Sequence, residues 1–140
     1  MPSKLIEKIP LPNGLVLELW DRSRPMAGDR WLVSLLARME IPILPEFFSD
    51  IHLGEQAYKD LVDTNGDRLV FTQENERHFV DEQETEAILE RLCQRLKETL
   101  LAYLSSPRFA SRYVLKKYGD LQDRHSWGSK PTSNGSTSPS

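Results

Sequence analysis

The hydrophobic pattern changes period once along the chain, near Asp81. Upstream, apolar residues mostly alternate, as in half-buried strands; downstream they recur at helical spacing. A period of two followed by a period of 3.6 predicts an α+β fold: a hairpin-built antiparallel β-sheet packed with two C-terminal helices. At 140 residues the chain suits one domain, expected over 1–120, since domains commonly hold roughly 100 to 150 residues. From residue 121 onward Ser, Gly, Pro and Thr dominate, so 121–140 is expected to be a disordered tail that cannot offset its own chain entropy by burial.

Within the first part, Lys4 to Pro10 reads as an edge strand closed by the Pro12-Asn13-Gly14 turn. Leu15, Leu17 and Leu19 then mark one apolar strand face, and Trp31, Val33, Leu35, Ala37, Met39 and Ile41 mark another. Those two segments are expected to pair as a hairpin around a loop over 22–29, and Pro42 and Pro45 end it because proline removes a ladder donor. A short helical turn is placed around 55–61. Asn65-Gly66, lying between apolar runs, predicts a second hairpin with a type I′ turn, in which Val62 faces Leu69 and Asp63 faces Arg68.

Asp81 with Glu84 three residues on has the form of a helix N-terminus. Ile88, Leu89, Leu92, Cys93, Leu96, Leu100, Tyr103 and Leu104 lie on one stripe, so 82–104 predicts a rod of roughly 34 Å at about 1.5 Å per residue. Ser106-Pro107 opens a second helix, 107–118, with Gly119 as its C′ residue.

Charge is unevenly divided. Residues 40–86 carry 13 acids against 3 bases, while the rest of the chain carries 8 against 15. No apolar run approaches the roughly 18 residues a membrane span needs, so no span is expected. The N-terminus lacks an apolar leader, and Cys93 is the only cysteine, which points to a reducing, cytoplasmic setting.

The residues that could bind something form four groups. Arg22, Ser23, Arg24, Gly28 and Arg30 sit together with Asp21 and Asp29; guanidinium forks match phosphate or carboxylate, which makes this stretch a candidate small-anion or nucleotide site. Equally, the arginines can pair with their acidic neighbours. Asp21-Arg22-Ser23 resembles the start of the D-x-S-x-x-G signature of PilZ domains, which bind cyclic dinucleotides. The glycine falls at Gly28 rather than at position 26, and no R-x-x-x-R precedes it, so no membership is claimed. Arg108, Arg112 and Lys116 make a basic stripe, but a pI of 5.6 disfavours nucleic acid as a partner. His52, Glu55 and His78 lack the spacing of a metal site, and Glu82, Glu86 and Glu90 read as a solvated helix edge. No metal or cofactor is implied.

No nucleophile beside a base is legible, so an enzyme is disfavoured. The leading expectation is a small interaction or regulatory module without catalysis, acting through its helix pair and through apolar residues that the predicted core does not absorb: Phe47, Phe48, Leu101 and Leu115. Its partner would be another protein or a second copy of the chain. The alternative is an anion sensor built on the arginine-rich loop.

Overall fold

The computed structural model describes the backbone of residues 3–129 and the side chains of residues 3–124. It has a five-stranded antiparallel sheet and three α-helices, two of them C-terminal. In chain order these are β1 (Lys4–Pro10), β2 (Val16–Asp21), β3 (Arg24–Ala27), β4 (Arg30–Pro42), α1 (Gly54–Asn65), β5 (Arg68–Asp81), α2 (Thr85–Leu104) and α3 (Phe109–Ser129). Two short 3₁₀ turns, Pro45–Phe48 and Glu82–Glu84, precede α1 and α2. The chain divides into two compact units: one runs up to Ile41 and includes Val70–Phe109, and the other holds Pro42–Leu69 and the chain from Ala110 onward.

In the first unit β1 pairs with β2, and β2 with β4. Asp21 opposite Leu35 and Arg24 opposite Leu32 keep a single register, so β2 and β3 follow the same edge of β4. The segment expected as a loop is therefore a strand with a short interruption. At the break, Asp21 Oδ1 accepts the Ser23 N–H (2.9 Å) and Ser23 Oγ accepts the Ser34 N–H (3.0 Å), replacing ladder bonds with side-chain ones. Pro25 is tolerated because β3 is an edge, and Gly28 turns the hairpin at φ 59°. β5 takes the other edge of β4.

Alternation decides the core. Leu17 and Leu19 on β2, with Val33, Leu35, Ala37, Met39 and Ile41 on β4, are fully buried, and on α2 Leu92, Leu96 and Leu104 are buried too. The Asp81 carboxylate accepts the Gln83 N–H before the 3₁₀ turn that leads into α2. At its far end the turn before β2 holds the helix: Asn13 Nδ2 donates to the Leu104 carbonyl (2.8 Å) and the Ser106 carbonyl (2.9 Å). The opposite sheet face is polar, with Arg38 bridging Glu18 (3.3 Å) and Glu40 (3.0 Å).

The second unit corrects two expectations. Asp60 to Thr64 is helix, not strand, and Asn65-Gly66 ends α1 rather than making a hairpin: Gly66, at φ 82°, donates its N–H to the Val62 carbonyl. A positive φ serves a helix C-terminus as well as a type I′ turn, and Ala57 and Leu61, buried and four residues apart, set the helical choice. α3 does not stop at Gly119 but continues to Ser129, with Leu121 buried. Residues 121–129 of the expected tail are thus helical backbone, and 130–140 lie outside the described residues.

Candidate functional site

The arginines of the β2–β4 hairpin are placed by strand geometry and held apart. Arg22 reaches Glu74 on β5 at 2.8 Å, and Arg30 lies 3.8 Å from Asp29 and 3.9 Å from Asp81. Arg24 is exposed and has no ion-pair partner among the described residues. Ser23 is committed to the Ser34 N–H, and Gly28 occupies the exposed turn. The expected set is one hairpin's worth of residues, with two of the three guanidinium groups facing different acids.

The apolar candidates separate as well. Phe48 is a core residue at 1% exposure, stacked edge-on against Tyr58 (6.0 Å) and Tyr118 (5.9 Å); its expected role at a surface does not survive that burial. Phe47, Leu101 and Leu115 are half-buried. The exposed apolar side chains of the first unit include Leu5, Ile6 and Val16 near the β1 edge, and Phe79, which lies on β5 at φ 58°.

Ser34, Glu76 and His78 share the polar sheet face. Ser34 Oγ donates to Glu76 Oε2 (3.3 Å), and His78 Nε2 lies 3.9 Å from the other Glu76 oxygen. The carboxylate, not the imidazole, is beside the hydroxyl, and Ser34 is only 1% exposed. A nucleophilic serine needs an accessible hydroxyl in contact with a base such as an imidazole or an amine, and buried Ser34 meets only a carboxylate. This trio is a structural network. Among the described residues, no three His, Cys, Asp or Glu side chains gather in a metal-binding arrangement, and no helix is long and apolar enough to cross a membrane.

A groove of about 930 Å³ runs between β1 and α2. Ile6, Ala87, Leu89 and Cys93 supply its apolar lining, while Glu86 and Glu90 stand one helical turn apart along it and Arg91 lies on the same rim. Lys97 is neutralised by Glu7 at 2.9 Å. Burial pushes the Cys93 thiol above its ordinary pKa; Lys97 opposes that shift, and the negative charges of Glu7, Asp21 and Glu90 add to it. The register between β1 and β2 slips at Leu5–Glu7, leaving Ile6 unpaired and 41% exposed at the groove. Sequence alternation identified β1 as an edge but could not foresee this bulge, which is what turns Ile6 toward α2.

The chain matches no protein-family model, no curated protein and no solved structure.

Proposed function

We propose that this chain is a non-catalytic protein-interaction module whose β1–α2 groove receives an extended partner segment carrying apolar and basic side chains. The observation that carries the reading is the groove itself: an apolar floor bordered by Glu86 and Glu90 against a single base unpaired among the described residues, Arg91, while Lys97 is already paired with Glu7. Electrostatic complementarity of that kind selects a basic partner and speeds its encounter. Strand addition to β1 is the less favourable mode, because Lys4, Lys8, Pro10 and the bulge at Ile6 are the devices by which edge strands resist further pairing. The partner is therefore held by side chains in the groove rather than by a backbone ladder. The hairpin arginines support an anion sensor less well, since Arg22 and Arg30 have acidic partners.

The reading is tested with two synthetic peptides of alternating Leu-Lys and Leu-Glu, titrated against the isotopically labelled chain. The basic peptide should shift the amides of Ile6, Glu86 and Glu90 and slow alkylation of Cys93. The double replacement Glu86→Lys with Glu90→Lys should transfer preference to the acidic peptide. Equal response to both peptides, or none at millimolar concentration, would refute the groove reading, and a dimeric mass by light scattering with Ile6 protected would reassign the groove to a second copy.

A further inference from the structure

On the opposite flank of α2 from the acidic groove lies a smaller concavity of about 240 Å³, closed on its other side by β5. Its residues come from alternate positions of one strand, Gln73, Asn75 and Arg77, and from one side of the helix, Leu92, Arg95, Leu96 and Thr99. Two features set it apart. It contains two arginines and no carboxylate, and its floor is made by Leu92 and Leu96, which are buried.

Neither guanidinium is neutralised by a carboxylate among the described residues. Arg77 Nη1 donates to the carbonyl of Glu76 (3.0 Å), which steadies the side chain but leaves most of its five N–H donors free. Arg95 makes no side-chain hydrogen bond there, and Gln94, not Arg95, takes up the nearby Glu98 carboxylate (3.0 Å). Gln73 and Asn75 are half-buried, and their side-chain amides add uncommitted donors. The Thr99 hydroxyl is already given to the Arg95 carbonyl (2.9 Å) and is not needed as a ligand.

We infer that this β5–α2 pocket is a binding site for a phosphate group, clamped between Arg77 and Arg95 with Gln73 and Asn75 as secondary donors. Two forks approaching from different elements suit a tetrahedral anion, whose several oxygens can accept from both; a planar carboxylate is satisfied by a single fork. Both guanidinium groups are solvent-exposed, so the clamp is open to water and its affinity should fall as salt rises. Volume bounds the ligand: the pocket is smaller than the roughly 300 to 1,000 Å³ of sites that enclose drug-sized molecules, so it takes the phosphate group alone, with any attached organic portion left outside. The site does not depend on the groove reading, for it uses other residues on the other side of the helix.

The test is a titration of the full chain with inorganic phosphate, glycerol phosphate and citrate, against sodium chloride at matched ionic strength. Melting temperature and the resonances of Gln73, Asn75 and the Arg77 and Arg95 side chains are followed. Phosphate should raise the melting temperature where chloride does not, because a ligand that binds only the folded state stabilises it by mass action. Arg77→Ala and Arg95→Ala should each weaken binding about tenfold or more, as expected for loss of a hydrogen-bonded charge; Arg95→Lys should also weaken it, since an ammonium lacks the fork. Arg24→Ala, on the hairpin, should leave it unchanged. Tighter binding of glycerol phosphate than of phosphate identifies a phosphorylated small molecule as the source, and equal binding identifies the free ion. The inference is overturned if phosphate moves nothing, if chloride or citrate does as well, or if both alanine variants respond like the parent.

Discussion

Asn13 closes the turn before β2 by joining it to the end of α2, and at neutral pH its replacement by aspartate should cost about as much as its replacement by alanine, although aspartate keeps one of the three bonds. The asparagine side chain does three things at once: its amide donates to the carbonyls of Leu104 (2.8 Å) and Ser106 (2.9 Å), and its Oδ1 accepts the Leu15 N–H (3.1 Å). Each such bond contributes about 0.5 to 1.5 kcal/mol net. Asn13→Ala loses all three and should cost about 1.5 to 4.5 kcal/mol on that basis, a large share of the roughly 5 to 15 kcal/mol that holds a domain folded. Asn13→Asp keeps the bond from Leu15 but sets a carboxylate against two carbonyl oxygens at the negative pole of a helix. That contact should add roughly 0.3 to 2 kcal/mol of repulsion to the loss of both donations.

The two variants also differ in their response to acid. The carboxyl at position 13 would be harder to ionise in the folded chain than in the unfolded one, where its pKa is about 3.9. With the folded pKa raised, the aspartate variant's relative stability is fully present below the unfolded value and is lost as pH rises through the folded one. Urea unfolding followed by circular dichroism at neutral and acid pH measures this directly, with the parent and Asn13→Ala as references. An aspartate variant as stable as the parent at neutral pH, or one whose difference from the alanine variant does not change with pH, would refute the proposed pair of donations to α2.

Leu96, 2% exposed in the middle of the α2 stripe, should cost roughly 2 to 5 kcal/mol on replacement by alanine; a loss below half of the lower figure in chemical denaturation would mean that the cavity collapses around it. Gly54 opens α1 where a Cβ would overlap the Phe48 carbonyl oxygen, so Gly54→Ala should lower stability by about 1 to 3 kcal/mol as an overpacking change, and an unchanged melting temperature would contradict that close approach. Because burial raises the Cys93 pKa, its alkylation should follow a pH profile displaced upward from that of free cysteine. The thiol's contribution to stability should be fully present below the unfolded pKa and fall away as pH rises through the folded one, and a profile matching free cysteine would show that the groove leaves it solvated.

Much of the architecture was legible because local and long-range requirements agree. β1 falls where alternation and the Asn13-Gly14 turn put it, and the β4 face is the one the odd-numbered residues spell; Asp81 does cap, but it caps the 3₁₀ turn Glu82–Glu84, and α2 begins only at Thr85. The misreadings share a cause: residues that punctuate one element also fit another. Gly66 suits a hairpin turn by its local sequence, yet it ends a helix. Pro25 suits a loop, yet it lies in an edge strand. Gly119, read as a stop, is carried inside α3, where a helical glycine costs about 1 kcal/mol. The binding candidates were less legible still. Sequence proximity gathered Arg22, Arg24 and Arg30, yet pairing across the sheet gives Arg22 to Glu74, 52 positions away. A different long-range feature, the packing of α2 against β5, puts Arg77 and Arg95 on one pocket, and nothing local to either residue announces it.

A helical stripe read from sequence distinguishes only an apolar side from a polar one, whereas a helix laid across a sheet has two flanks that meet different strands. On α2 those flanks differ in charge: Glu86 and Glu90 outnumber Arg91, unpaired among the described residues, along the groove toward β1, and Arg95 borders the pocket toward β5 with Arg77 and no carboxylate. The flanks are separated by a helix about 10 to 12 Å across, more than the screening length of about 8 Å at physiological ionic strength. Their electrostatics should therefore be nearly independent in that salt. Glu90→Lys should alter the response to a basic peptide while leaving phosphate binding within about twofold, and Arg95→Ala should do the reverse, as expected for charges separated by more than the screening length. If either replacement changed both responses equally at 0.15 M salt, the summed field of the chain would outweigh the local geometry on which both assignments rest. A shared effect that appears only near 0.01 M salt, where the screening length extends to about 30 Å, would leave the two flanks as separate sites.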